Sequence, residues 1–162
     1  AVHPISAVES EYSLLTRDVE KEILPLTKEL GVTLVPFSPL GRGLVTNTIN
    51  VNALGENDFR KHLPRYNGIY WENNQKLTAE FAEIAESKGI TPAQLALAWI
   101  LAQSENIIPI PGTKRIKYLE ENAKATDVNL LPDDISKIEL LLKKYPNIGN
   151  RYNEYDFKFV NK

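Results

Sequence analysis

The 162-residue sequence contains no cysteine, no methionine and only two histidines. Without cysteine, neither a disulfide framework nor a thiolate metal site can form. The histidines, His3 and His62, lie far apart in the sequence, which argues against a histidine-based metal site. The chain does not open on methionine, which either a cleaved tag or a fragment of a longer protein would explain. The order of elements described below favours a fragment.

Strong charge and long apolar runs are also missing. The formal net charge is −2, so nothing suggests a nucleic acid or an anionic membrane surface as a partner. No apolar run is long enough to span a bilayer, and no basic-then-apolar signal segment opens the chain. With 43% apolar residues, the composition is that of an ordinary globular domain with a core, and we expect a cytoplasmic protein.

Strand and helix patterns alternate along the chain. The predicted strands are 7–12, 32–37 and 107–110. The predicted helices are 18–30, 74–88, 92–103, 115–124 and one that starts at 132. The second strand is apolar almost throughout, as expected of a strand buried on both faces of a parallel sheet. The long segment 38–73 between strand and helix is predicted to be a functional loop.

Four of the helices show an apolar face that we expect to point inward. The expected inward residues are Val19, Ile23, Leu26 and Leu30 in the first helix, Leu77, Phe81, Ile84 and Ala85 in the second, Ile116, Leu119 and Ala123 in the fourth, and Ile135, Ile138, Leu141 and Leu142 in the last. Gly31 should end the first helix in a left-handed conformation. Thr91, Pro92 and Gln94 have the spacing of a capping box with a proline at the first helical position.

This order of elements predicts a parallel α/β sheet. Three strands cannot shield both faces of such a sheet, and a closed eight-stranded barrel needs about 250 residues. We therefore predict the C-terminal portion of a TIM (β/α)8 barrel, with about three βα units plus extra helices. Its sheet edges would be covered by another chain that completes the barrel or by further residues of this one. No structure is predicted for the polar and aromatic tail from about 146.

The sharpest chemical signal is the hexapeptide Ile-Pro-Gly-Thr-Lys-Arg at 110–115. Gly112 makes a tight turn, and Thr113, Lys114 and Arg115 come at the start of a helix. Free N–H groups, the helix dipole and two cations make this an anion site. Glu121 lies about two turns along the helix, within reach of a heterocycle attached to a bound phosphate. In the alternative reading, Thr113 is only a helix cap and the charges are solvated.

Two further segments sit where barrel enzymes place their active sites, at strand ends. In residues 37–43, Phe37 can present a flat face to a ring, while Ser38 and the backbone at Gly41 can donate to a pyrophosphate. A buried Phe followed by an ordinary turn is the alternative. In residues 7–14, alternation puts Glu9 and Glu11 on one face, where Glu9 could bond a carboxamide. In the alternative reading, Glu9 and Glu11 are ordinary surface carboxylates.

Taken together, these three segments resemble the aldo-keto reductase family from residue 2 to about residue 145. The resemblance implies that Phe37 stacks on a nicotinamide. It implies a pyrophosphate lined by Ser38, Leu40, Gly41 and Arg42, with Gly112 in the turn that precedes the phosphate clamp. Thr113, Lys114 and Arg115 would hold an adenosine 2′-phosphate, and Glu121 and Asn122 would bind adenine. Two cations and a hydroxyl at the phosphate position favour NADPH over NADH.

The resemblance implies an oxidoreductase that transfers hydride from NADPH to an aldehyde or ketone. The loop residues would overlie the cofactor and shape the substrate pocket: Arg60, His62, Arg65, Tyr66, Tyr70 and Trp71. A solvated surface loop is the alternative for this cluster. Glu9 stands where the family usually has glutamine, and a carboxylate cannot donate to the carboxamide oxygen. The family's catalytic Asp, Tyr, Lys and His come from earlier strands that this chain lacks, so we assign no catalytic residue.

Two alternatives stay open at this point. Some proteins of this fold bind NADPH and serve as non-catalytic regulatory subunits, which this half of the sequence does not distinguish. An unrelated phosphate-binding barrel, such as an isomerase or aldolase, is the other. The Glu121–Asn122 pair argues against the second, because a small sugar phosphate has no adenine to contact.

Overall fold

The structure, a computed structural model, describes residues 3–160; the remaining residues of the predicted 1–162 domain lie outside the described part. Two parallel strands, β1 (Ala7–Glu11) and β2 (Thr33–Phe37), pair from Ala7↔Thr33 to Glu11↔Phe37. The helices are α1 (Ile23–Leu30), α2 (Gly68–Ser87), α3 (Pro92–Leu101), α4 (Ile116–Ala123), α5 (Pro132–Lys144) and α6 (Glu154–Phe157). No helix in this range is long and apolar enough to cross a membrane.

The third predicted strand runs alongside β2 without becoming a regular strand. Leu34 N–H donates to the Asn106 oxygen at 2.9 Å, and Ile108 N–H donates back to the Leu34 oxygen at 3.0 Å. Ile110 N–H continues the ladder to the Pro36 oxygen at 3.0 Å. Pro36 itself has no N–H to donate, so one bond of the parallel pattern cannot form. The prediction of a third strand is therefore right in position and parallel direction but wrong in regularity.

The first predicted helix is broken in two. A 3-10 turn at Asp18–Glu20 precedes α1, and Gly31 ends α1 with φ 63°, as predicted. The break shifts the phase of the helix, so Leu24 and Thr27 are its buried residues. The prediction that Ile23, Leu26 and Leu30 point inward is wrong, since these side chains are exposed.

The remaining helices follow the sequence more closely, with two differences. The capping box of Thr91 and Gln94 is present at the start of α3, whose residue Trp99 is fully buried. Helix α2 starts at Gly68, six residues before its predicted start, so the irregular segment is only 38–67. The predicted apolar face of α4 is wrong, because Ile116 is 75% exposed and the buried residue of this helix is Asn122.

Arg17 fixes the segment after β1 to the helical layer. Its guanidinium binds Glu20 at 2.7 Å and Glu139 of α5 at 2.8 Å. It also lies over the ring of Trp99, 5.0 Å from the ring centroid. Tyr12 donates to Glu20 at 2.8 Å, and burial together with this bond raises the pKa of the phenol.

As predicted, the core side chains Ile138 and Leu141 of α5 face inward.

The sheet is covered on one side only. Leu34 is fully buried under the helices, whereas Ile108 and Ile110 on the opposite side are 60% and 46% exposed. Burial alternates along β2, with Thr33, Val35 and Phe37 only half-buried, so the predicted burial of both faces is wrong. Parallel barrel strands have a helix-covered outer face and an inner face that closure buries. The chain is thus an open, partial α/β barrel layer, as the sequence predicts.

The two sides of α1 allow a direct test of this packing. Leu24 is 7% exposed and Leu30 is 62% exposed. Leu24→Ala should lower the free energy of unfolding by about 2–5 kcal/mol, because it leaves a cavity in the core. Leu30→Ala should change it by less than about 0.5 kcal/mol. Denaturant titration of both variants checks this, and the reverse order of effects would contradict the observed phase of α1.

Candidate functional site

A cleft of about 1480 Å³ opens between the segment that follows β2 and the start of α4. Ten of the twelve predicted cofactor residues line it: Phe37, Ser38, Leu40, Arg42, Gly112, Thr113, Lys114, Arg115, Glu121 and Asn122. The other two do not: Glu9 is exposed on β1, and Gly41 is buried in the wall behind. The two strongest motifs of the sequence therefore face one another across a single cleft.

The wall that follows β2 is a left-handed turn. Gly41, Arg42 and Gly43 have φ values of 57°, 58° and 92°, and Ser38 has φ 50°. Such values cost a non-glycine residue about 1–3 kcal/mol and persist only where the surroundings enforce them. A side chain at Gly41 would also come within 3.3 Å of Leu15 Cδ1. We call residues 41–43 the left-handed turn.

Hydrogen bonds to its carbonyl oxygens hold this turn from behind. The Tyr66 hydroxyl donates to the oxygens of Gly41 at 3.1 Å and Arg42 at 3.2 Å. Arg60 Nη1 lies 3.4 Å from the Arg42 oxygen. The turn therefore directs these carbonyl oxygens into the protein.

The Arg42 side chain is engaged inside the protein. Its Nη2 lies 3.1 Å from Glu11 Oε2, and the two side chains are 10% and 2% exposed. Thr16 donates to the other Glu11 oxygen at 3.1 Å, and the ring of Tyr152 lies 4.8 Å from the guanidinium. Glu11 neutralises the charge of the Arg42 guanidinium. Arg42 is therefore suited to contact a ligand in the cleft through its main chain and not through its charge.

Sequence reasoning missed Glu11 and a second buried arginine as parts of this wall. Arg65 donates to the Leu15 oxygen at 2.6 Å, to Thr16 Oγ1 at 3.0 Å and to the Gly149 oxygen at 3.1 Å. Burial lowers the pKa of Arg65 to about 10. The available signal was the alternation that places Glu11 on the same strand face as Glu9, but it did not reveal which carboxylate would be buried.

The opposite wall, at the start of α4, is exposed and positively charged. Lys114 and Arg115 form no ion pair within the described residues, and Arg115 lies 5.6 Å from the ring of Tyr118. Arg115 N–H donates to Thr113 Oγ1 at 3.3 Å, and Arg115 occupies the N-cap position without a side-chain cap bond. The structure therefore does not show Thr113 as the cap of this helix, but the exposed Lys114 and Arg115 agree with the other part of the alternative, that the charges are solvated.

The floor of the cleft comes from α4 and the start of α3. Thr91 donates to Glu121 Oε1 at 2.9 Å, and Gln94 donates to the Glu121 main-chain oxygen at 3.1 Å. Asn122 is only 9% exposed and lines the cleft. Its side-chain amide can both donate to and accept from a ligand.

Most of the predicted loop cluster lies elsewhere. Of the six residues expected to overlie a cofactor, Arg60 lines the cleft. His62 is exposed, while Arg65 and Tyr66 are buried behind the left-handed turn. Tyr70 and Trp71 belong to the first turn of α2. No group of three or more His, Asp or Glu side chains in residues 3–160 could hold a metal ion.

The fold and the cleft define a partial α/β barrel with a cleft at its strand ends, and comparison with known proteins gives its family. The Aldo/keto reductase family model matches residues 1–143, and the chain belongs to this family. It is 40% identical over 165 residues to the probable aldo-keto reductase 1 of Glycine max, covering 99% of the chain and 48% of that protein. The chain thus spans about half the length of this curated relative.

Solved structures agree on the fold. The glycerol dehydrogenase of Gluconobacter oxydans is similar with a TM-score of 0.82 and 22% identity, over 89% of this chain and 44% of its own. A thermostable aldo-keto reductase, solved with the inhibitor epalrestat, is similar with a TM-score of 0.58 and 30% identity. That likeness covers 85% of this chain and 40% of the other. The first likeness establishes the fold alone.

The ion pair at the rim of the cleft gives a pH-dependent test. Arg60 binds Asp58 at 2.6 Å and lowers the pKa of that carboxyl to about 2. A carboxyl with a lowered pKa stabilises the fold above its ordinary pKa and loses that effect as the pH falls through the folded value. Asp58→Asn should therefore lower the thermal unfolding midpoint at pH 6, and the difference from wild type should shrink between about pH 4 and pH 2. A difference that stays constant over this range would contradict the pairing.

Proposed function

We propose that this chain is the cofactor-binding portion of an NADPH-dependent aldo-keto reductase that reduces an aldehyde or ketone. The observation that carries the proposal is the single cleft shared by the left-handed turn and the Thr113–Arg115 segment. Membership of the family supports a nicotinamide cofactor. The described residues fit such a ligand, because the cleft combines the exposed cations Lys114 and Arg115, the left-handed turn and the side-chain amide of Asn122.

The proposed roles follow the chemistry of each wall. Phe37 would stack on the nicotinamide, and the backbone of Ser38, Leu40 and Arg42 would line the pyrophosphate. Gly41 would act from behind, by permitting the φ of 57° that the turn requires. The carbonyls of this wall face protein donors, so the pyrophosphate would meet N–H groups.

The start of α4 would hold the adenosine end. Lys114 and Arg115 are free of ion pairs within the described chain, which favours a ligand with an additional phosphate. Thr113 adds a neutral donor. The predicted tight turn at Gly112 is not formed in the structure, but the absence of a Cβ there lets the main chain approach the ligand closely. Glu121 and Asn122 would contact adenine, with Glu121 already oriented by Thr91 at 2.9 Å. This arrangement favours NADPH over NADH.

Glu9 does not line the cleft, but it is exposed on β1 and pairs with Val35, on the sheet face that also carries Phe37. Its bond to the carboxamide stays a prediction. When bound, NADPH would supply the hydride. The described residues would hold and orient it, and none of them is assigned as the proton donor. In this proposal the remaining barrel strands come from another chain or from further sequence of the same protein, and they provide the donor and most of the carbonyl pocket.

The phosphate clamp can be tested on Arg115. Arg115→Ala should weaken NADPH binding by about ten- to a hundredfold, the range of a hydrogen bond to a charged group. Binding of NADH should barely change, because NADH lacks the 2′-phosphate. Lys124→Ala removes an exposed cation just beyond α4 and should leave both affinities unchanged. Fluorescence titration of both cofactors measures this; an equal loss for NADH would mean that Arg115 supports the loop instead.

Catalysis by this polypeptide alone should be undetectable. Hydride transfer needs a proton donor near the developing alkoxide, and general acid catalysis contributes about 10²–10⁴-fold. The measurement is NADPH oxidation in the presence of an aromatic aldehyde, with a complete aldo-keto reductase as the positive control. Steady turnover by the purified chain would contradict the assignment of no catalytic residue.

A further inference from the structure

The tail beyond α5 returns across the back of the left-handed turn. Three side chains from separate elements donate to its carbonyl oxygens: Asn74 to Ile148 at 2.9 Å, Arg65 to Gly149 at 3.1 Å and Arg42 to Arg151 at 3.2 Å. We call residues 148–152 the strap. In each of these bonds the acceptor is a main-chain oxygen of the strap. The bonds therefore fix the path of its backbone.

Side chains of the strap complete the contact. Arg151 binds Asp18 at 2.9 Å, and its buried Nε lies 3.9 Å from Glu11. The ring of Tyr152 lies against Arg42 at 4.8 Å and Arg151 at 5.9 Å. Arg42 is thus enclosed by Glu11 and the strap, and its side chain has little freedom to change direction.

The strap also packs closely against α2, where Gly149 lies next to Tyr70. Gly149 has φ 82°, and a Cβ at this position would lie 2.8 Å from Cγ of Tyr70. Both the backbone conformation and the space favour glycine here. The methyl group that Gly149→Ala adds should therefore displace the strap without changing any residue of the cleft.

We propose that the strap is a positioning segment for the cofactor site: it holds Arg42 so that the left-handed turn stays formed. This inference rests on the proposed function. Arg42 keeps φ 58° only if its surroundings enforce it, and two supports do so. Tyr66 and Arg60 hold the main-chain oxygen of Arg42, while Glu11 and the strap hold its side chain. Loss of the strap removes two partners of the Arg42 side chain, the main-chain oxygen of Arg151 and the ring of Tyr152.

Two ligands separate this positioning role from a general loss of structure. NADPH spans both walls of the cleft, whereas adenosine 2′-monophosphate carries only the groups assigned to Thr113–Arg115 and Glu121–Asn122. Gly149→Ala should weaken NADPH about tenfold and leave adenosine 2′-monophosphate unchanged, with thermal unfolding recorded for each protein. Gly55→Ala is the matched control, because a Cβ at Gly55 meets nothing within 4 Å, and it should bind both ligands as wild type does.

A second pair of variants keeps the test independent of one substitution. A chain ending at Asn147 lacks the strap and should repeat the selective loss of NADPH, while a chain ending at Asn153 keeps the strap and should not. Unchanged NADPH affinity in both Gly149→Ala and the shorter chain overturns the proposal. So does an equal loss of both ligands, which marks a purely structural role. If the wild-type chain binds neither ligand, the proposed cofactor site itself fails.

Discussion

The ion pair between the buried carboxylate of Glu11 and Arg42 is the interaction on which the cleft wall that follows β2 depends. Glu11 ends β1 and is 3% exposed, and it meets Arg42 from the segment after β2 and Arg151 from the tail. Breaking such a buried pair typically costs about 3–5 kcal/mol, because the remaining charge is left uncompensated. The pair therefore joins a strand end, the left-handed turn and the strap into one unit, and the backbone of that unit faces the cleft.

Positive charge is used in two different ways on the two sides of the cleft. Behind the turn, Arg42 and Arg65 are desolvated and satisfied by Glu11 and main-chain oxygens. At the start of α4, Lys114 and Arg115 are exposed and without acidic partners within the described residues. The first group stabilises a backbone conformation, and the second is free for a ligand. Counting arginines and lysines in the sequence does not distinguish these uses, since burial and partners decide them.

One-sided burial is the other main property of this chain. Ile108, Ile110 and Ile116 are exposed at 60%, 46% and 75%, although each lies in or beside an element that a closed barrel would cover. The same relation explains the wrong expectation for α4, because nothing in residues 3–160 packs on its apolar stripe. The expectation for α1 is wrong for another reason, the break before this helix that shifts its phase. This agrees with a chain that spans about half of its curated relative.

The sequence by itself determined what depends on neighbours along the chain. The parallel strand positions, the capping box at Thr91 and the glycine stop at residue 31 follow from local backbone chemistry. The sequence also predicted that the two cleft motifs lie close together, because the strand ends of an α/β fold meet at one edge of the sheet. What only the tertiary structure decided involves residues far apart in sequence. Arg42 binds a main-chain oxygen 109 positions away, and Arg65 binds one 84 positions away. Main-chain acceptors carry no sequence signature, so the inward direction of both arginines became visible only in the fold.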